Sequence, residues 1–138
     1  MKTHGSYFNL IDQTYYFPQE GFDLENGNLF FNNVSLKYII EKYGTPLKIT
    51  YLPKIGDQIK RVRNLFSKAI KQQGYHGQYK YCYCTKSSHF SFIVKEALRY
   101  QVQLETSSAY DLDIVRELYE ERSISKDITL INNGFTTD

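Results

Sequence analysis

The chain has 138 residues and a formal net charge of +2, with 17 lysine and arginine residues against 15 acidic ones. Acids and bases are interspersed and form no basic stripe, which argues against a nucleic-acid partner. With 41% hydrophobic and 23% charged residues, the composition is that of a soluble globular protein. There is no apolar leader and no run of membrane-spanning length, so we expect no signal peptide and no membrane partner.

The N-terminal residues predict several short elements. Residues 1–27 are aromatic and irregular, and we expect an extended arm there. Residues 28–33 predict a short strand and the turn that follows it. Ser35 then predicts the N-cap of a short helix that Gly44 ends. The alternation of apolar and polar residues over 47–51 predicts another strand.

Helices and strands alternate in the rest of the chain. A long amphipathic helix is predicted from Ile55 to Ile70, and its charged residues are interpreted as a solvated surface (Lys60, Arg61, Arg63, Lys71). Three strands, each separated from the next by one helix, must run parallel with right-handed crossovers. Such a sheet has helices on its faces or closes into a barrel. The strands are predicted at 79–84, 102–105 and 128–131, and the helices between them at 90–100 and 109–121.

The two cysteines, Cys82 and Cys84, lie on the first of these strands, on the same face. They are poorly placed for a structural disulfide, and two thiols alone do not make a zinc site. This usage predicts a reducing compartment, and hence a cytoplasmic protein.

Lys86 follows the carboxyl end of the first regular strand. In (β/α)8 barrels that end of the strands carries the chemistry. Alternation predicts one face with Cys82, Cys84 and Lys86 and the other with Tyr81, Tyr83 and Thr85. If the first set faces a barrel interior, Lys86 projects into its mouth, where an amine can form a Schiff base with an aldehyde. A lysine that ends a strand is otherwise an ordinary surface residue.

Four stretches, in chain order, resemble motifs of the alanine-racemase-like pyridoxal-phosphate (PLP) decarboxylases, which act on arginine, diaminopimelate or ornithine. Tyr-Cys-Thr-Lys-Ser-Ser at 83–88 is similar to their Tyr-x-x-Lys-x-Asn lysine motif. Tyr-Gly-Thr-Pro-Leu at 43–47 resembles an upstream signature. Leu-Glu-Thr-Ser-Ser-Ala-Tyr-Asp at 104–111 resembles an acidic–x–x–Ser–x–x–x–acidic stretch. Asn-Asn-Gly-Phe at 132–135 resembles the Asn-Gly-aromatic turn found notably in arginine decarboxylases.

The resemblance implies a fold and a cofactor. Residues 55–138 would be the first helix and first strand–helix units of a PLP-binding (β/α)8 TIM barrel. Residues 1–54 would be an arm and strand segment associated with a second, β domain. A complete barrel takes about 250 residues, so we expect an N-terminal fragment. Because it lacks the family's later elements, such as the phosphate-binding loop, the isolated chain is expected neither to hold the cofactor well nor to turn over. The full-length enzyme is expected to be a homodimer or higher homo-oligomer.

The resemblance also implies residue roles. Lys86 would be the catalytic lysine that holds pyridoxal 5′-phosphate, and Cys84 would lie next to the cofactor. Glu105 would be an acidic residue close to the cofactor and the lysine, or else an exposed acid at a strand end. Asp111 matches a second acidic position, or is only the capping residue of the following helix, where Ser108 predicts a capping box.

Three positions depart from the family pattern. Ser88 stands where the family commonly has asparagine, and Thr85 stands where valine or isoleucine is usual. Thr136 occupies a position at which the related turn often carries lysine.

The resemblance favours the decarboxylation of arginine to agmatine, a step of polyamine biosynthesis. The stretches at 104–111 and 132–135 are most like arginine decarboxylases. Diaminopimelate decarboxylation, in lysine biosynthesis, is the alternative because the stretch at 43–47 is typical of those enzymes. A non-catalytic α/β binding module remains a hypothesis from another class, and in it Lys86 would be a surface residue.

Overall fold

The computed structural model describes residues 21–134 and divides the chain into two compact units, 1–49 and 50–138. Most of the predicted arm lies outside the described residues, as do Phe135 and Thr136. The described residues combine helices with small sheets, so the chain is α/β as predicted, and they do not form a closed barrel. In the described ranges no helix is long and apolar enough to cross a membrane.

The first unit contains a three-stranded antiparallel sheet and one helix. Both connections in the sheet are two-residue turns, 26–27 and 32–33, and all four of these residues have positive φ. Such turns match the twist of the strands they join. The elements are β1 (Phe22–Glu25), β2 (Asn28–Phe31), β3 (Val34–Ser35) and α1 (Leu36–Tyr43).

The structure confirms β2 and its turn but corrects the arm, because residues 22–25 form a strand. An Asn26-Gly27 pair between apolar runs is a strong hairpin signal, and it could have revealed β1. Ser35 caps α1 as predicted, with its hydroxyl accepting from the backbone N–H of Tyr38 at 3.2 Å. Gly44 ends the helix with a φ of 78°.

The predicted strand at residues 47–51 is wrong, because this segment is neither helix nor strand. Leu47 and Ile49, which alternation assigns to a buried face, are 37% and 45% exposed. A strand requires a paired neighbour or a covered face, and the described residues supply this segment with no strand partner.

The second unit contains the predicted alternation of helices and strands. Its three strands, β4 (Cys82–Cys84), β5 (Gln103–Thr106) and β6 (Leu130–Asn132), form a parallel sheet in that order, in which Cys84 pairs with Glu105 and Glu105 with Ile131. The first strand is three residues shorter than predicted and the third is one residue shorter, whereas the second has its predicted length and begins one residue later. The other elements are α2 (Pro53–Gln72), a 3-10 turn (Thr85–Ser87), α3 (Ser91–Leu98) and α4 (Ala109–Glu120).

The core of this unit lies on one face of the sheet. Tyr83 and Leu98 contact both of its buried apolar clusters, one formed with α3 and α4 and the other with α2 and α3. The three helices therefore cover the sheet face that carries Tyr83 and Leu104, and strand alternation directs Cys84 and Glu105 to the opposite face. The buried members of the clusters are Val94, Leu104, Val115 and Leu118 in one and Ile59, Ala97 and Val102 in the other.

Arg63 of α2 is not the solvated surface charge that the sequence predicts. Its guanidinium donates to the carbonyl oxygens of Tyr100 at 2.6 Å and Gln101 at 3.0 Å, just beyond the end of α3. Cations stabilise a helix C-terminus because the last carbonyl groups lack intrahelical partners.

Arg63→Gln is expected to lower the free energy of unfolding by about 1–2 kcal/mol, because both bonds to the end of α3 are lost. Chemical denaturation measures this. Arg61→Gln, at an exposed position of the same helix, is the control and should change stability by less than about 0.5 kcal/mol. Equal effects of the two variants would show that the capping contact contributes nothing.

Candidate functional site

The carboxyl edge of the parallel sheet brings together residues from three of the four motifs. The Lys86 Nζ lies 4.0 Å from Glu105 Oε1. The same oxygen accepts a hydrogen bond of 2.8 Å from the side-chain amide of Asn133. Lys86 and Asn133 follow β4 and β6, and Glu105 is the penultimate residue of β5, so the parallel arrangement makes the three residues neighbours.

Lys86 lies just beyond the carboxyl end of β4, as predicted, but it is separated from the strand by Thr85 and does not continue it. Residues 85–87 form a single 3-10 turn, so the predicted alternation ends at Cys84. The amine still reaches the Glu105 carboxylate across the edge of the sheet. The Lys86 side chain is 53% exposed, so the described residues leave the amine open to a ligand from solution.

The Glu105 carboxylate is ionised at neutral pH. The hydrogen bond from Asn133 is the main cause that lowers its pKa, followed by the Cys84 thiol. Partial desolvation opposes this lowering, and the positive charge of Lys86 adds to it. A carboxylate with donors on several sides is well suited to hold an ammonium group beside it.

The cysteines lie on β4 as free thiols, in register with β5. Burial raises the pKa of Cys82, and the negative charge of Glu105 raises it further, against a smaller lowering by Lys80. Cys82 is therefore a protonated thiol at neutral pH and not a nucleophile. The described residues contain no group of three histidine, cysteine or acidic side chains that could hold a metal ion.

Asp111 forms the predicted capping box at the start of α4. Its carboxylate oxygen accepts from the backbone N–H groups of Ser107 at 2.8 Å and Ser108 at 3.0 Å, and from both serine hydroxyls. Burial acts to raise the pKa of Asp111, but these bonds and the Thr85 hydroxyl outweigh it and hold the pKa below its usual value. The Asp111 carboxylate thus holds the loop after β5 in place through these hydrogen bonds, which already occupy the donors of Ser107 and Ser108.

Gly134 allows the loop after β6 to lie against the loop after β5. A Cβ atom at this position would overlap the carbonyl oxygen of Ser107. The backbone N–H of Asn133 donates to the carbonyl oxygen of Thr106 at 2.7 Å, which continues the strand pairing up to this contact. The sequence marked Gly134 as a turn residue and missed this close approach, which no local pattern reveals.

Comparisons with protein-family models, with curated proteins and with solved structures gave no match. The resemblance to PLP decarboxylases therefore depends on the four motifs alone. The geometry adds that the lysine of one motif, the acid of the second and the asparagine of the third are in contact at one edge.

Proposed function

We propose that this chain forms the first part of a PLP-dependent decarboxylase with an alanine-racemase-like barrel, in which Lys86 binds the cofactor covalently. The observation that carries the proposal is the placement of the Lys86 amine, 4.0 Å from the Glu105 carboxylate at the carboxyl edge of a parallel sheet. Active sites of (β/α)8 barrels are built at this edge.

The side of the sheet on which the helices lie supports a barrel. Doubly wound folds place helices on both faces of a parallel sheet, whereas a barrel has all of its helices outside. Here α2, α3 and α4 contribute to clusters on a single face, and the strands follow one another in chain order. In a barrel continued from this unit, Cys84 and Glu105 would face the interior.

The residues present fit the attachment of PLP, because an exposed primary amine stands beside an ionised carboxylate and an amide. PLP, when bound, supplies an electron sink for the bond electrons left by departing carbon dioxide. Lys86 would hold the cofactor, and its amine could carry a proton during the reaction. Glu105 orients the lysine, and Asn133 orients Glu105.

The remaining groups of such a site are proposed to come from a longer protein and from a homodimeric partner. These are a phosphate-binding loop, an acid at the pyridine nitrogen and the pocket for the substrate side chain. The proposed substrate is arginine, which gives agmatine, because the stretches at 104–111 and 132–135 are most like arginine decarboxylases. Diaminopimelate is the second candidate. The proposed location is cytoplasmic.

Reduction of the full chain with borohydride in the presence of PLP tests the proposal, with peptide mass spectrometry to locate the pyridoxyl group. We expect Lys86 to be modified with a preference of about tenfold over the exposed Lys126, since tenfold corresponds to a modest binding contribution of about 1.4 kcal/mol. Lys86→Met should abolish the preferred modification, and Lys126→Met should leave it intact. Equal modification of both lysines would favour the non-catalytic module instead.

A further inference from the structure

Thr85 is completely buried at the junction between β4 and the turn that carries Lys86. Its hydroxyl donates to the backbone carbonyl oxygen of Glu105 at 3.0 Å. One side chain therefore joins the backbone next to the amine to the backbone of the residue that bears the carboxylate.

We propose that Thr85 is a positioning residue that sets the place of the Glu105 carboxylate relative to the Lys86 amine. This inference rests on the proposed function, because the amine that is positioned is the one proposed to bind PLP. The positioning is attributed to the hydroxyl, because a valine has the same shape as threonine but cannot donate the hydrogen bond to Glu105.

The Asp111 carboxylate lies in the same buried region. The Thr85 hydroxyl helps to lower the pKa of this carboxylate, which accepts hydrogen bonds from the backbone N–H groups of Ser107 and Ser108. The single proton of the hydroxyl is donated to the carbonyl oxygen of Glu105, so the end of β4 is hydrogen-bonded to the start of the segment from Glu105 to Asp111. In such a buried polar arrangement, a missing donor leaves acceptors unsatisfied, and the loop must move to find others.

The identity of this residue distinguishes the chain from the pattern it resembles. The related decarboxylases commonly have valine or isoleucine where this chain has Thr85, so the hydroxyl is not part of the motif. A fully buried hydroxyl with a carbonyl partner costs little, whereas an unpaired one would be expensive. The hydrogen bond to Glu105 therefore explains how a threonine hydroxyl is accommodated at this buried position.

The test measures borohydride-trapped pyridoxyl at Lys86 relative to Lys126 in the full chain and in Thr85→Val, Thr85→Ser and Thr129→Val. We expect Thr85→Val to lower this ratio about tenfold, because small misplacements of a reacting group have large effects. Thr85→Ser, which keeps the hydroxyl, should restore the wild-type ratio. Thr129→Val, which removes a hydroxyl at the opposite edge of the sheet, should leave it unchanged.

The outcomes separate the two proposals. A wild-type ratio near one contradicts the proposed function, whatever the variants do. A Thr85→Val ratio equal to that of the wild type overturns the positioning role, even where Lys86 is strongly preferred. A ratio that falls equally in Thr85→Ser and Thr85→Val also contradicts the role of the hydroxyl. Thermal unfolding of each variant shows whether the variant is folded.

Discussion

Asp111→Asn is expected to lower the free energy of unfolding by about 2–4 kcal/mol, because a buried carboxylate with several donors loses its charge. Asp111 is only 7% exposed, and its oxygen accepts from two backbone N–H groups and two hydroxyls. An asparagine carbonyl oxygen can take the place of this oxygen, but it is neutral, and hydrogen bonds to an ionised acceptor are about twice as strong as those to a neutral one. Urea denaturation measures the change.

Asp113→Asn is the matched control on the same helix. Asp113 is exposed and forms only an i,i+3 ion pair with Arg116 at 3.0 Å. Exposed pairs contribute little, so this variant should change stability by less than about 0.5 kcal/mol. Comparable losses of stability in the two variants would mean that the hydrogen bonds of Asp111 contribute no more than an exposed ion pair.

The lowered pKa of Asp111 predicts that the stability of the fold depends on pH. The pKa of Asp111 is lower in the folded chain than its usual value, so the folded state favours the ionised form. Its contribution is complete above the unfolded pKa of about 3.9 and is lost as the pH falls through the lower folded pKa. Between these limits the stability of Asp111→Asn should fall less steeply with acid than that of the wild type.

Local signals in the sequence predicted much of the fold. Ser108 and Asp111 identified the start of α4 because a capping box is contained within four residues. Strands separated by single helices identified the parallel sheet because a crossover constrains strand direction. The same topology predicted that Lys86 would lie at the carboxyl edge, and it does so beside Glu105.

Periodicity gave the apolar side of each helix but not what covers it. Helical spacing places Phe90, the N-cap of α3, and Leu112 and Tyr119 of α4 on the apolar side of their helices, yet they are 52%, 51% and 44% exposed. Leu112 and Tyr119 instead line an open groove of about 340 Å³ beside Leu130 of β6. An apolar stripe wider than the available partner remains partly in solvent, and only the tertiary arrangement shows where the core ends.

The candidate site was only partly predictable for a related reason. Thr85, Gly134 and Arg63 act through backbone atoms 20 or more residues away in sequence or on another element. Such contacts leave no local pattern, because any residue type can supply a carbonyl oxygen. The lysine and acid were found through the resemblance, whereas the groups that hold them in place required the structure.

Gly134→Ala is expected to lower the free energy of unfolding by about 1–3 kcal/mol, the usual cost of forcing an extra carbon into a filled space. The added Cβ would overlap the Ser107 carbonyl oxygen, which is backbone and cannot rotate away. The loop after β6 must therefore leave the loop after β5. Urea denaturation measures the loss, and hydrogen exchange at the Asn133 amide, which donates to Thr106 at 2.7 Å, should become faster.

Asn133→Ala tests whether the stability depends on the side-chain contact of this loop with Glu105 or on the backbone path of the loop. It removes the 2.8 Å bond to Glu105 but leaves the backbone free to follow the same course. Because Asn133 is exposed, this variant should cost less than about 1 kcal/mol and leave the exchange of its own amide slow. If Gly134→Ala is no less stable than Asn133→Ala, the close approach is not needed, and the loop after β6 has another way to place Asn133 beside Glu105.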